Sequence, residues 1–157
     1  MLEGRLSFKS LTTVKNLTTG AIGRGLAHDQ ITQTLEQFYG YFPRIEPRRT
    51  LLTCLTSGGE QQMVVDRRGL MARPEAFLLD EPLMGLPPFV VVEIFEALAK
   101  LNRETGLTML VAEQNSAIVL RYAHHATVIE NGRSVRDGPP PILPPMPICA
   151  NFILAAA

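Results

Sequence analysis

The chain of 157 residues has no tryptophan and only two cysteines, Cys54 and Cys149. Two thiols so far apart match no metal-ligand spacing, and such sparse use of cysteine fits a reducing compartment. No charge surplus exists either, with 15 Lys and Arg against 15 Asp and Glu. A balanced chain leaves no electrostatic footprint for nucleic acid. Nothing approaches the ~18 consecutive apolar residues of a membrane span, so any membrane role is expected to be peripheral. The start, MLEGRLSFKS, has no apolar run, and no signal peptide is expected. One absence matters more. The 157 residues contain no G-x-x-x-x-G-K-[ST] phosphate loop, although later stretches read like other parts of a phosphate-handling site.

What is present is enough for one domain with a real core. Residues 1–25 are polar, with threonine and glycine clusters, and are expected to form loop with short elements. Ile31, Leu35, Phe38 and Phe42 make one apolar stripe, which predicts a helix over 29–41, stopped by Pro43 and Pro47. Ser57-Gly58-Gly59-Glu60 is an S-x-x-E capping box and predicts a helix running to Ala72. RPEAFLL and LTMLVA are continuous apolar runs, read as strands buried on both faces. Between them Val91, Phe95, Leu98 and Leu101 share a helical face, with Pro88 at its first turn and Gly106 at its exit. NSAIVLRYA reads as a short helix, and Asn131-Gly132 as the two-residue turn of a hairpin. Strand, helix, strand, helix predicts an α/β fold with a parallel sheet and the hairpin at an edge. Residues 139–157 are rich in proline and are expected to be a poorly ordered tail.

Two stretches carry chemistry. Asp80 and Glu81 end a strand at the carboxyl edge of the sheet, where α/β folds bind ligands. An aspartate there can hold magnesium through water, and a glutamate beside it can orient or deprotonate an attacking water. The plainer alternative is two solvated acids before a proline. At Ser57 to Glu60, a helix amino terminus offers N–H groups and partial positive charge to an anion. The alternative is simply a capped helix, but two glycines in a first turn weaken the helix and argue for a second purpose. His124 and His125 are adjacent and diverge, which suits surface or interhelical packing. His28 reads as a loop or helix-start residue, and Arg48-Arg49 as a solvated pair.

Taken in order, TSGGEQQ, AFLLDEP, LMGLPP and VAEQN resemble the ATP-binding cassette family, the nucleotide-hydrolysing subunits of ABC transporters. The likeness is greatest to cassettes of branched-chain amino acid importers, through FYGYFPRI, GGEQQM, LMARP, VEIFEALAKLN and EQN. It runs from about Glu3 to Gly138. It implies a partial P-loop NTPase fold, with a helical signature subdomain over about 1–72 and a core over about 73–138. It also implies ATP and Mg2+. Asp80 would hold the metal through water, Glu81 would polarise the attacking water, and Gln114 would sense the γ-phosphate from the switch position. Ser57, Gly58, Gly59 and Glu60 would form the signature, which acts on nucleotide held by another cassette. Glu3 falls at the Q-loop position. The implied partners are a second cassette subunit and transmembrane permease subunits, at the cytoplasmic face of the membrane.

The departures from that pattern are specific. The portion with the family's phosphate loop is missing, Thr56 replaces a usual leucine, and Pro87 replaces alanine or aspartate. VVDRRG puts Asp66 and Arg67 into a normally apolar stretch, with an unpaired-charge cost expected if they are buried. The expectation is a transport-coupled ATPase family whose member here is inactive alone and marginally stable. The alternative is an inactive cassette fragment that only binds an intact cassette or a permease. A DNA-repair type ABC ATPase is disfavoured, because the chain has no coiled-coil heptads.

Overall fold

A computed structural model of the chain describes residues 7–82, 84–114, 116–140 and 151–156. Two compact units result, one from the described residues of Gly4–Pro74 and the other from those of Glu75–Ala157.

The first unit is helical: α1 is Thr13–Gly23, α2 is His28–Tyr41 and α3 is Gly58–Leu70. Short 3-10 segments, Pro43–Arg48 and Thr53–Leu55, lie between α2 and α3. Helix α1, of 11 residues, is longer than the short elements expected within loop over 1–25. Thr12 caps it, its hydroxyl accepting the Lys15 N–H at 3.4 Å. Leu17 and Ala21, four apart, are fully buried, and so nearly is Asn16. The Asn16 amide donates to the Thr53 hydroxyl at 2.7 Å and to the Phe8 carbonyl at 2.9 Å. Its own oxygen accepts the Phe8 N–H at 2.8 Å. A buried face with that much polarity shows no apolar period, so packing against α3 forms this helix where propensity does not.

Helix α2 turns Thr34 and Phe38 inward, and the Phe38 and Phe42 rings follow at 5.1 Å between centroids. Arg67 of α3 is buried, but its guanidinium lies 3.9 Å over the centroid of the Phe42 ring. The expected unpaired charge therefore has an aromatic partner, and a cation–π contact offsets part of the desolvation. The side chain of Asp66 lies outside the description.

The second unit contains β1 Ala76–Asp80, α4 Pro88–Thr105, β2 Thr108–Glu113, α5 Ser116–Val119, β3 His125–Glu130, β4 Arg133–Gly138 and β5 Asn151–Ala156. The sheet order is β1-β2-β5-β3-β4. β1 and β2 are parallel, with Leu78 beside Leu110 and Asp80 beside Ala112. Gly106 ends α4 in the left-handed region at φ 68°, as its position in the sequence implies. Asn131 and Gly132 both have positive φ, 48° and 75°, as a tight hairpin turn requires. On that hairpin Asp137 accepts from the Thr127 hydroxyl and lies 2.9 Å from His125 Nε2. Those two contacts, Thr127 first, hold its carboxyl below the usual aspartate value.

Two expectations for the sheet are corrected. β1 is not buried on both faces: Phe77 and Leu79 are buried while Leu78 is 57% exposed. A continuous apolar run reads the same whether one face is covered or two, and the period cannot separate them. The tail is not wholly unstructured either, because β5 pairs antiparallel with β2 on one side and with β3 on the other. Ladders on both sides satisfy backbone groups that β2 and β3 would otherwise leave unpaired. Pro141, Pro144, Pro145 and Pro147 lie outside the described residues. Among the described residues, no helix is long and apolar enough to cross a membrane.

Candidate functional site

Of the residues singled out by sequence, one group begins α3. Ser57 is its amino-terminal cap, with the hydroxyl accepting the Glu60 N–H at 3.3 Å. The Glu60 carboxylate reaches back to accept the Ser57 N–H at 2.8 Å, closing the capping box. Helix geometry leaves the N–H groups of Gly58 and Gly59, the first two helical residues, without an intrahelical acceptor. Arg48 stands 3.4 Å from the Glu60 carboxylate, and the Gln61 amide donates to the Thr56 carbonyl at 3.0 Å. The arrangement can therefore offer backbone donors and a helix dipole to an anion while its own cap is internally satisfied.

Burial pushes the Glu60 pKa up, but the Ser57 hydrogen bonds and the Arg48 charge outweigh it, leaving the carboxyl below its ordinary 4.5. A depressed folded-state value means stability that is present above the unfolded pKa and lost as pH falls through the folded one. We therefore expect the melting temperature to fall on acidification from about pH 5 towards pH 3. Glu60→Gln should flatten that slope by losing the carboxylate's own share of stability at neutral pH, a modest loss because glutamine also closes a capping box. Parallel slopes for the two proteins would show that Glu60 does not couple to folding.

The second group lies at the carboxyl ends of β1 and β2. Glu81 follows β1 directly, its N–H donating to the Ala112 carbonyl at 2.9 Å. Its φ is 43°, a conformation a non-glycine residue rarely takes, which turns the side chain out of the strand's alternation. Gln114, just after β2, donates from Nε2 to Glu81 Oε1 at 2.6 Å. Residues thirty-three apart in sequence thus form one hydrogen-bonded pair. They line a cleft of about 350 Å3 walled by Met84, Leu86, Val91 and Ile118. Asp80 is exposed at the last position of β1. Glu3, at the Q-loop position, lies outside the described residues.

Glu113 was not found from the sequence. It is buried, lines the same cleft, and its carboxylate accepts the Gln114 N–H at 3.2 Å. The available signal was an acid ending an otherwise apolar strand, one residue before the switch-like glutamine.

A carboxylate oriented by a neutral amide can take a proton from water, because the amide holds its geometry without competing for the proton. Among the described residues no three His, Cys, Asp or Glu side chains gather as a metal site. Asp80, exposed at the end of β1, offers a carboxylate of the kind magnesium takes alongside water and phosphate.

No protein-family model matches the chain. It is 41% identical over 133 residues to the high-affinity branched-chain amino acid transport ATP-binding protein BraG of Pseudomonas aeruginosa, covering 85% of this chain and 56% of BraG. It is 32% identical over 127 residues to the methionine import ATP-binding protein MetN of Lactobacillus delbrueckii subsp. bulgaricus, covering 81% of this chain and 36% of MetN. Among solved structures it superposes on cbiO1 from Clostridium perfringens, part of the ABC transporter complex cbiONQ. That match has a TM-score of 0.76 and 28% identity, and covers 86% of this chain and 53% of the other. The chain spans about half the length, or less, of these relatives.

Proposed function

We propose a function from one premise: the chain belongs to the ATP-binding cassette family of ABC transporters. On this reading it is an ATP-binding subunit, or part of one, of an importer that couples ATP hydrolysis to branched-chain amino acid uptake. The observation that carries it is the Gln114–Glu81 hydrogen bond of 2.6 Å at the carboxyl edge of a parallel strand pair. The higher identity to BraG than to MetN supports branched-chain amino acids over methionine as cargo.

Glu81 takes the role of orienting and deprotonating the attacking water, with Gln114 fixing its carboxylate and responding to the γ-phosphate. Asp80 would hold magnesium through water, and the metal when bound neutralises phosphate charge. Ser57, Gly58, Gly59 and Glu60 serve a different nucleotide, one held by the phosphate loop of a second cassette. That cassette and transmembrane permease subunits are the partners, and the chain works at the cytoplasmic membrane face.

Since these 157 residues contain no phosphate loop, the chain alone holds nucleotide poorly. Purified alone, it should release no phosphate from ATP above background. Turnover that disappears in Glu81→Gln would contradict this. The test of the reading is association with an intact, hydrolysis-dead cassette, followed by size-exclusion chromatography. Complex formation should require ATP. Association that is identical without nucleotide favours the second reading, an inactive cassette fragment that only binds its partner.

A further inference from the structure

The α4 side of the second unit holds a cleft, away from Glu81 and Gln114, that the cassette reading does not use. It has a volume of about 240 Å3. Its apolar wall is Phe95, Leu98, Val111, Val119 and Tyr122. The Phe95 and Tyr122 rings stack with 5.4 Å between centroids and 6° between planes, giving the wall a flat aromatic surface. Three basic residues, Arg103, Arg121 and His124, also line it, and the lining contains no carboxylate. In a chain with as many acids as bases, that is a local excess of positive potential.

Neither Arg103 nor Arg121 makes an ion pair among the described residues, and the acid beside Arg103, Glu104, lies 4.0 Å from Lys100. A buried polar group also reaches the cleft. Asn102 is only 7% exposed, and its amide donates to the Leu107 carbonyl at 2.9 Å. That bond uses one of its two N–H groups and leaves the other, with the amide oxygen, for a second partner.

We propose that this cleft binds a small monocarboxylate with an apolar, branched or aromatic body. The carboxylate meets Arg121 and Arg103, whose forked donors suit two oxygens in a plane. The body lies against Phe95, Val119 and Tyr122. A volume below the roughly 300 Å3 where drug-sized pockets begin limits the ligand to about ten non-hydrogen atoms. So small a ligand binds with a Kd on the order of millimolar. The proposal does not depend on the chain's having any ATPase activity.

Isothermal titration of the full chain with sodium phenylacetate tests it, with phenylacetamide as the uncharged analogue of equal size. Saturable binding of phenylacetate is expected, with phenylacetamide at least about tenfold weaker. Arg121→Ala and Arg103→Ala should each weaken phenylacetate about tenfold. Arg136→Ala, on the exposed strand β4, should leave binding unchanged. All three arginines are exposed, so melting temperatures should stay near that of the parent and separate lost binding from lost folding. No saturation at tens of millimolar, equal binding of the amide, or indifference to both cleft arginines would overturn the proposal.

Discussion

Gly20→Ala should unfold the helical unit or cost it about 3 kcal/mol or more, at the upper end of what overpacking usually costs. A Cβ at position 20 would lie 1.9 Å from the Arg68 carbonyl oxygen and 3.0 Å from its carbon. Both are backbone atoms of α3, so no side-chain rotation relieves the clash. The helices must separate, and the Asn16 network, which ties α1 to Phe8 and Thr53, goes with them. Against a total stability on the order of 5–15 kcal/mol, that loss is large. Gly23→Ala is the control, because nothing lies within 4 Å of a Cβ there. It should be neutral or stabilising by up to about 1 kcal/mol, through helix propensity alone. Urea unfolding followed by circular dichroism compares the two. Similar midpoints would mean that α1 and α3 do not meet at Gly20.

Gly20 also illustrates what the sequence could not say. Its threonine- and glycine-rich surroundings look like loop, and the reason for the glycine, a carbonyl in another helix, is 48 residues away. The capping box at Ser57 was legible because both of its hydrogen bonds span only three residues. So was the hairpin turn at Asn131-Gly132, where the backbone requirement falls on the residues themselves. The partial burial of β1 was not legible, since covering one face or both depends on which helices return to the sheet. Nor was β5, whose six residues are too short for a period and follow a proline-rich stretch that argues against order.

The Glu81–Gln114 pair shows a third case. Nothing in local spacing joins Glu81 to Gln114, and the family resemblance gave each a role without a hydrogen bond between them. The physical cause is the parallel register of β1 and β2, which brings the residues after Asp80 and Glu113 to one edge. Glu113 stayed hidden because an acid at a strand end reads as solvated, whereas here it is buried under the turn it hydrogen-bonds. Arg67 was legible in part: a charge in an apolar stretch signals a desolvation cost, but the Phe42 face that offsets some of it lies 25 residues away in sequence.

Gly59→Asp should separate the two possible purposes of the α3 amino terminus, because it moves them in opposite directions. For the helix, an acid in the first turn is favourable, interacting with the positive end of the dipole. Replacing glycine by a residue with less backbone freedom in the unfolded chain also favours folding where the conformation is helical. The variant is therefore expected to melt at the parent's temperature or slightly above it. For a bound γ-phosphate the same carboxylate is repulsive, and it occupies space where only a bare backbone allows close approach. Like charges facing each other across an interface cost several kcal/mol, so ATP-dependent association with a hydrolysis-dead partner cassette should weaken about a hundredfold or more. Gly59→Ala, which adds bulk without charge, should lose less. If Gly59→Asp associates as tightly as the parent while folding equally well, the two glycines serve no phosphate. Ser57 to Glu60 would then be a helix cap and nothing more, and the inactive-fragment reading would account better for the chain.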